Sequence, residues 1–323
     1  MSTSEHRDTI HVAMTHNGIT GLGEGAPIAR YRESAEDGLR ALESIRPTLE
    51  AMDPSEFQKF STEISGRLPG QFAAKAAVDI ALLDWVGKRY GLPLFRLLGL
   101  DPNDTPITSY SIGVDTGEVI REKVLEAEAY PILKIKMGLQ SDETTLAAVR
   151  EVTDKPLRVD VNEGWKDRET ALRKIQWLES QGVEFIEQPM PAEMISETRW
   201  VRSRVRLPIV ADEAATNLRE LSQLVGAYDV VNVKLDKCGG IQEALRMIQA
   251  ARALGLKTML GCMVASSLSI TAAAHLSPLV DYADLDGNLL ISNDPYQGVE
   301  VRGGRLILPR GPGLGVTPCA APP

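Results

Sequence analysis

The sequence predicts an α/β protein, a (β/α)8-type barrel preceded by a smaller α+β cap. Eight short apolar segments rich in β-forming residues each end in a polar residue, and these ends lie 22 to 28 residues apart. The stretches between them read as helices, and strands that alternate with helices at this spacing form parallel βα units. The eight predicted strand ends are Tyr110, Lys136, Asp160, Glu187, Asp212, Lys234, Cys262 and Asp286.

A closed barrel explains these ends better than a doubly wound open sheet does. Polar residues stand at every strand end, as they would around a ring whose functional groups collect at the carboxyl ends of the strands. Residues 142–151 and 242–253, which lie between predicted strands, have helical patterning. We therefore expect eight strands and their connecting helices in one barrel.

The first 105 residues follow a different pattern, that of an α+β cap. Residues 9–15 alternate as a strand, Asn17-Gly18 is a hairpin turn, and residues 19–24 form the returning strand. Residues 71–90 form a helix with an alanine-rich side, which Gly91 and Pro93 end. We expect a cap over 1–105, a barrel over 106–294, and a segment rich in Gly and Pro, 295–323, that packs back on the cap.

Composition and charge exclude several classes of partner. Of 323 residues, 43% are hydrophobic and 24% are charged, which is ordinary for a globular protein. The net charge of −9 argues against nucleic acid or an anionic membrane as a partner. The chain shows neither an apolar run of about 20 residues nor the apolar core of a signal peptide. Its three cysteines are dispersed, which indicates a reducing compartment, so we expect a cytoplasmic protein.

Three carboxylates end three consecutive predicted strands: Asp160, Glu187 and Asp212. A strand-end acid taken singly often caps the next helix. Three in succession meet at one point of a barrel, where they repel one another unless a cation lies among them. Because the ligands are all oxygen, they indicate Mg²⁺, with Mn²⁺ as the alternative. Asn162 lies on the same strand face as Asp160 and is expected to orient a group bound to the metal.

Three lysines are candidates for proton transfer. Lys134 and Lys136 are two residues apart on one strand, so both point into the barrel. Lys136 lies nearer the mouth and is the better acid or base, while the charge of Lys134, one layer deeper, favours loss of a proton from its neighbour. On the far side Lys234 ends its strand, whereas Lys237 falls in the following turn, so we select Lys234.

Further motifs occur in order along the chain. They are Gly23-Glu24-Gly25-Ala26-Pro27, Lys134-x-Lys136, Asp160-x-Asn162, Glu187-Gln-Pro, Asp212-Glu213 and Lys234-x-x-Lys237-x-Gly-Gly240. Together they resemble the enolase superfamily, in its muconate-lactonizing-enzyme subgroup, over essentially the whole chain. The resemblance implies a barrel without its last regular helix, (β/α)7β. It also implies that the three carboxylates bind Mg²⁺ beside Asn162 and Glu213, and that Lys136 and Lys234 are acid and base on opposite faces of a substrate.

The eighth predicted strand end adds a signal for the substrate. Asp284-x-Asp286 resembles the Asp-x-Asp motif of dipeptide epimerases of the L-Ala-D/L-Glu type, and Cys262-Met263 matches the seventh strand of that group. Two carboxylates on one face suit an ammonium group, which has three donors. The resemblance therefore implies a Mg²⁺-dependent epimerase that inverts the α-carbon of the C-terminal residue of a dipeptide by two-base 1,1-proton transfer through an enediolate, with Met263 also at the substrate.

Other reactions of the superfamily stay open. An o-succinylbenzoate synthase, an N-acylamino acid racemase and a muconate-type cycloisomerase share the lysines and ligands, but their substrates lack the free ammonium that Asp284 and Asp286 would bind. A metal-binding protein without chemistry is a remote alternative. In the loop after Pro27, Arg30 and Arg32 could pair with an acidic substrate side chain, or both could be surface arginines.

The chain departs from the family pattern in two places. Ala265 stands where a Glu usually follows the Met, which puts one supporting contact in doubt. Family members also usually begin with one more strand before residues 9–15, a piece that often helps to form the specificity loop. We expect a homo-oligomer, because such assemblies are the common case.

Overall fold

The cap begins with a two-stranded antiparallel sheet. In the computed structural model, which describes residues 6–319, β1 (Ile10–His16) pairs with β2 (Ile19–Gly25). Asn17 and Gly18 turn the chain with φ of 50° and 74°, as a two-residue hairpin loop requires. The helices that follow are α1 (Ala35–Glu50), α2 (Phe57–Arg67), α3 (Phe72–Tyr90) and α4 (Leu94–Leu97).

Close contact between β2 and α3 explains the alanine-rich side of that helix. A Cβ added to Gly23 would lie 1.9 Å from the carbonyl oxygen of Ala77, and one added to Gly25 would lie 1.9 Å from that of Ala73. Only glycine therefore lets the strand lie directly on the helix. The two elements form the rigid centre of the cap.

Eight parallel strands form the barrel, and their order in the sheet is their order in the sequence. Thr108 pairs in parallel with Ala283 and so joins the last strand to the first, which excludes the doubly wound open sheet. The strands are β3 (Tyr110–Ile112), β4 (Leu133–Lys136), β5 (Leu157–Asp160), β6 (Val183–Glu187), β7 (Ile209–Ala211), β8 (Val230–Val233), β9 (Lys257–Gly261) and β10 (Tyr282–Asp284).

Helices connect each strand to the next. They are α5 (Gly117–Glu126), α6 (Asp142–Arg150), α7 (Arg168–Leu178), α8 (Ile195–Arg202), α9 (Leu221–Leu224), α10 (Leu235–Cys238), α11 (Ile241–Ala253) and α12 (Ser267–Ala274). Within residues 6–319, β10 is followed by no α-helix but by four short strands, β11 (Tyr296–Gln297), β12 (Glu300–Arg302), β13 (Arg305–Ile307) and β14 (Thr317–Pro318). The predicted (β/α)7β barrel is confirmed. In the described part of the chain, none of the helices combines the length and apolar character that a membrane crossing needs.

The last barrel strand ends at Asp284, two residues before the predicted end at Asp286, and the predicted end of the first barrel strand is wrong. Tyr110 begins β3 instead of ending it, because hydrogen bonding to β4 starts where Tyr110 stands opposite Leu133 and continues to Ile112. Its ring stacks on Tyr130 at a centroid distance of 4.4 Å. Tyr110 is therefore the first residue of its strand, and the N–H of Ser111, the next residue, donates to Asp286.

Side chains inside the barrel form an apolar lower layer. Phe185, Val210, Val230 and Met259 make one buried cluster, with Tyr282 packed against it. Because inward side chains recur every second residue of a strand, the next inward positions on these strands lie closer to the mouth. This layer also holds the buried guanidinium of Arg158, 5.2 Å from the centre of the Phe185 ring, and it lies below the polar groups at the carboxyl ends.

A buried carboxylate docks the cap on the barrel. Glu24, near the end of β2, is 1% exposed and accepts hydrogen bonds from the N–H groups of Ser266 and Ser269 at 3.1 Å and 3.2 Å. These donors are free backbone groups at the start of α12, where a negative charge is favoured. The contact fixes how the loop after β2 lies over the mouth.

The C-terminal segment also contacts the cap. Gly313 donates to the carbonyl of Leu92 at 2.9 Å and accepts from the N–H of Leu94 at 2.8 Å. Nε2 of the buried His275 lies 3.0 Å from the carbonyl of Leu314. The limits of the three segments, at residues 105 and 294, stay predictions.

Candidate active site

Three carboxylates converge at the mouth, as the sequence predicts. Asp160 ends β5, Glu187 ends β6 and Asp212 directly follows β7. One oxygen from each lies within 4.8 Å of the others, and all three side chains are buried. Such an arrangement is stable only with positive charge nearby.

The charges around this cluster suit a hard divalent cation. Burial, together with repulsion from Asp160, raises the pKa of Glu187 to about 7. Burial also opposes ionisation of Asp160, but Lys134 and Lys136 outweigh it and lower that pKa to about 2. Glu187 Oε2 accepts no hydrogen bond from the described residues, although Lys134 Nζ lies 2.8 Å away. A buried oxygen with unused lone pairs in an all-oxygen cluster fits a metal of the Mg²⁺ kind.

Two lysines flank the carboxylates from opposite sides. Lys136 is on β4 and Lys234 directly follows β8, and these strands are four positions apart in a ring of eight. Lys136 Nζ lies 2.6 Å from Asp160 Oδ2, and Lys234 Nζ lies 2.8 Å from Asp212 Oδ2. The ligand strands β5, β6 and β7 lie between them. The two ammonium groups can therefore face one small molecule from two sides.

Lys237 has a different environment from Lys234. Its Nζ donates to the Asp212 carbonyl and to Asp212 Oδ1, both at 2.6 Å, and to the Asn232 carbonyl at 3.0 Å. All three of its protons are thus taken by fixed acceptors. Against the effect of burial, Lys234 and Lys237 lower the pKa of Asp212. Among the described residues, Lys237 is thus held between fixed acceptors, whereas the one hydrogen bond of Lys234 Nζ goes to Asp212 Oδ2. The choice of Lys234 for proton transfer stays a prediction.

Asp284 and Asp286 differ in how far their acceptor capacity is used. Asp284 Oδ2 lies 2.6 Å from Lys134 Nζ, and Asp284 Oδ1 accepts from the Ser109 hydroxyl at 2.6 Å. Asp286 accepts from the N–H of Ser111 at 2.7 Å. Burial, together with the charge of Asp284, raises the pKa of Asp286 to about 6. Asp286 is therefore the freer acceptor of the two.

Asn162 and Glu213 contact each other beside the cluster. Asn162 Nδ2 donates to Glu213 Oε1 at 3.2 Å, and Asn162 Oδ1 accepts from Lys136 Nζ at 3.2 Å. Burial, followed by repulsion from Asp212, raises the pKa of Glu213 to about 8. Met263 is half-buried just past β9, and Ala265 is buried two residues later.

The cap contributes a loop over the mouth. Arg30 forms two hydrogen bonds with Glu163, at 2.9 Å and 2.8 Å, while Arg32 turns the chain with φ of 59°. Tyr31, between them, is largely buried, and burial together with the charge of Asp212 raises its pKa. Sequence reasoning missed Tyr31 and Glu163. The sequence offers one signal for each of them. Tyr31 directly follows Arg30 in the cap loop, and Glu163 directly follows Asn162, just after β5.

Two family models match this chain along most of its length. The mandelate racemase / muconate lactonizing enzyme N-terminal domain matches residues 1–99, and the enolase C-terminal domain-like family matches residues 118–321. The chain therefore belongs to the mandelate racemase and muconate lactonizing enzyme branch of the enolase superfamily.

One relative of known activity and two solved structures show which members of the family this chain resembles. The chain is 43% identical to the L-Ala-D/L-Glu epimerase of Bacteroides thetaiotaomicron over 309 residues, which is 95% of this chain and 80% of the relative. Its structure is similar to a dipeptide epimerase of Enterococcus faecalis complexed with Mg and L-Leu-L-Tyr (33% identity, TM-score 0.89, 96% and 92% of the two chains). It is also similar to the N-succinyl Arg/Lys racemase of Bacillus cereus (30% identity, TM-score 0.91, 97% and 88%).

Proposed function

We propose that this chain is a Mg²⁺-dependent dipeptide epimerase, an isomerase that inverts the α-carbon of the C-terminal residue of a dipeptide. The observation that carries the proposal is the placement of Lys136 and Lys234 on opposite sides of three clustered carboxylates. Two positioned bases on two faces suit reversible inversion better than elimination, which needs a base on one face only.

Asp160, Glu187 and Asp212 would hold the metal, with Mn²⁺ as the alternative to Mg²⁺. When bound, the cation supplies positive charge that makes the proton next to a carboxylate easier to remove. Asn162 and Glu213 would keep the ligands oriented through the hydrogen bond between them.

The lysines would move the proton. One of Lys136 and Lys234, in its neutral form, removes the α-proton, and the other, as an ammonium, donates a proton to the opposite face of the resulting enediolate. Epimerisation in the reverse direction exchanges the two roles. Lys134, buried one layer deeper, would stabilise the negative charge that develops on the substrate.

Asp286 and Asp284 would bind the α-ammonium of the dipeptide. Asp286 accepts one backbone hydrogen bond and so keeps acceptor capacity for an ammonium. Met263 would contact the substrate, and Arg30 would lie near the side chain of its C-terminal residue.

An N-acylamino acid racemase is the second candidate. It is favoured by the similarity to the N-succinyl Arg/Lys racemase, since such a reaction uses the same lysines and ligands. The remaining acceptor capacity of Asp286 has no task with an acylated amine, which is why we prefer the dipeptide.

The deciding experiment is incubation with Mg²⁺ in D₂O with pooled L,L-dipeptides and, separately, with N-succinyl-arginine and N-succinyl-lysine. We expect a gain of one deuterium in the C-terminal residue of some dipeptides, with the epimer appearing on chiral chromatography. Chelation of the metal should stop both signals. Exchange confined to the succinylated amino acids would overturn the dipeptide proposal in favour of the racemase.

We also propose a cytoplasmic location and a homo-oligomer. Free thiols at Cys238, Cys262 and Cys319 agree with a reducing compartment. Light scattering of the purified protein would test the oligomeric state.

A further inference from the structure

A charged pair joins the cap to the barrel at the mouth. Arg30 Nε donates to Glu163 Oε2 at 2.9 Å, and Arg30 Nη2 donates to Glu163 Oε1 at 2.8 Å. This parallel two-bond geometry is the strongest that a guanidinium and a carboxylate form. The side chain of Arg30 is 50% exposed and that of Glu163 is 14% exposed. Glu163 is therefore the anchored partner, and the guanidinium is the group that solvent and substrate can reach.

Glu163 is held in place independently of Arg30. Its φ of 64° is a left-handed conformation, which a residue other than glycine keeps only where its surroundings enforce it. Its N–H donates to the Gln188 carbonyl at 2.9 Å, and its Oε1 also accepts from the N–H of Ala192 at 2.9 Å. The turn after β5 thus aims this carboxylate at the cap.

The pair lies next to the proposed reacting centre. Glu163 directly follows Asn162, whose Oδ1 is 3.2 Å from Lys136 Nζ. An α-carbon held between Lys136 and Lys234 has the apolar layer of the barrel below it and the cap loop above it. We take a side chain on that carbon to extend toward the mouth, where the cap loop carries Arg30 in its pair with Glu163.

We propose that Glu163 sets the specificity of this site by competing with an acidic side chain of the substrate for Arg30. While the pair is intact, Arg30 offers little uncompensated positive charge. An acidic side chain must displace the Glu163 carboxylate, which then lies as a like charge beside it. The inference rests on the proposed dipeptide substrate and names Glu163 as the residue that restrains the preference for acidic C-terminal residues.

The test compares two dipeptides of nearly equal size, L-Ala-L-Glu and L-Ala-L-Gln, in a Glu163→Gln variant. The amide keeps an acceptor for the Ala192 N–H but carries no charge. We expect the ratio of kcat/KM for L-Ala-L-Glu to that for L-Ala-L-Gln to rise about five-fold, the effect of losing one partly exposed charge pair. The double variant Arg30→Gln/Glu163→Gln should not show this rise in the ratio, because it has no Arg30 guanidinium to bind the acidic side chain.

A control uses a charged pair far from the mouth, one that is more exposed and bonds through a single carboxylate oxygen. Arg302 forms two hydrogen bonds with Glu300 in the β12–β13 hairpin, and Glu300→Gln should leave the ratio as it is in the wild type. An unchanged or lower ratio in an active Glu163→Gln enzyme overturns the inference.

Calorimetric binding of both dipeptides to the Mg²⁺-loaded proteins gives a second readout that needs no turnover. We expect the affinity ratio to shift in the same direction as the kinetic ratio. A wild type that exchanges no α-proton in any dipeptide would overturn the proposed function, while the affinity ratio would still decide whether Glu163 competes for Arg30. An affinity ratio that Glu163→Gln leaves unchanged would overturn the inference in that case too.

Discussion

Lys134 Nζ lies 2.6 Å from Asp284 Oδ2, a buried ion pair that links β4 to β10 past the intervening β3. The same ammonium lies 3.0 Å from Asp160 Oδ2 and 2.8 Å from Glu187 Oε2. Burial opposes a charge on Lys134, but the three carboxylates outweigh it and raise the pKa of Lys134. Lys134 is therefore the positive centre of the carboxylate cluster.

Replacing Lys134 by Met should destabilise the fold. The change leaves Asp284 buried without its counter-charge, and we expect a loss of about 3 kcal/mol in the free energy of unfolding, measured with urea in metal-free buffer. Adding Asp284→Asn should restore part of that loss. Lys123→Met, which breaks an exposed pair with Asp115, should cost far less, because exposed ion pairs contribute little to stability. A Lys134→Met variant as stable as Lys123→Met would contradict the role of Lys134 as the counter-charge of Asp284.

Replacing either Lys136 or Lys234 alone should show which face of the substrate each lysine serves. We expect Lys136→Ala and Lys234→Ala each to lose about 10³-fold in epimerisation rate, since each removes one acid or base. Each variant should still exchange the α-proton of one epimer, the one that faces the remaining lysine, and the two variants should choose opposite epimers. Deuterium uptake into separate L,L and L,D dipeptides measures this. Normal epimerisation by either variant would disprove the two-base assignment.

Replacing Gly261 by Ala should displace the side chain of Lys234. A Cβ at Gly261 would lie 3.0 Å from Lys234 Cε and 2.5 Å from Asn232 Oδ1, so the lysine must move. Displacements of this size cost about 10²-fold in rate, and the loss in α-proton exchange should be larger for the epimer whose α-proton Lys234 removes. Gly66→Ala in α2, where an added Cβ meets nothing within 4 Å, is the matched control. Deuterium uptake into separate L,L and L,D dipeptides measures this, and equal losses of exchange for both epimers would contradict a local effect on Lys234.

The buried Asp236 should make stability depend on pH. Burial raises the pKa of Asp236 to about 7, and Glu24 and Glu33 add to this, against the hydrogen bond from the N–H of Ala26. Because the folded pKa exceeds the unfolded value, the stability that Asp236 contributes is complete below about pH 4 and is lost as the pH rises toward about 7.

Asp236→Asn, which cannot ionise, should therefore be more stable than the wild type at pH 8, by up to about 4 kcal/mol, and no more stable at pH 4. Urea unfolding at pH 4, 6 and 8 measures the difference. The exposed Asp115→Asn should show no such gain at pH 8. A constant difference between Asp236→Asn and the wild type at all three pH values would refute the assignment.

The barrel and its central cluster were predictable because strands constrain their residues strongly. Side chains alternate along a strand, so a charged residue in an apolar barrel strand, such as Asp160 or Lys134, can only face the interior. An interior charge without a partner is energetically costly. Each inward-facing charged residue therefore predicted that residues of opposite charge lie near it in the barrel. The 22- to 28-residue repeat then placed them on neighbouring strands.

The contacts between the cap and the barrel were not predictable in the same way. Arg30 and Glu163 are 133 residues apart, and both lie in loops where no periodic pattern limits the direction of a side chain. The pairing of Asp284 with Lys134 was also hidden, because Asp284 and Asp286 look equivalent in the sequence. That the charge of Lys134 assists Lys136 stays a prediction.

The docking of Glu24 on the start of α12 has an evolutionary consequence. The cap is fixed by a residue that precedes the loop of Arg30 and Tyr31, while the proton-transferring lysines belong to the barrel. Substitutions in that loop can therefore alter which substrates are admitted without moving either the docking point or the reactive groups. Related proteins can therefore evolve to accept different small-molecule substrates through substitutions at a few loop positions, while the proton-transfer chemistry stays the same.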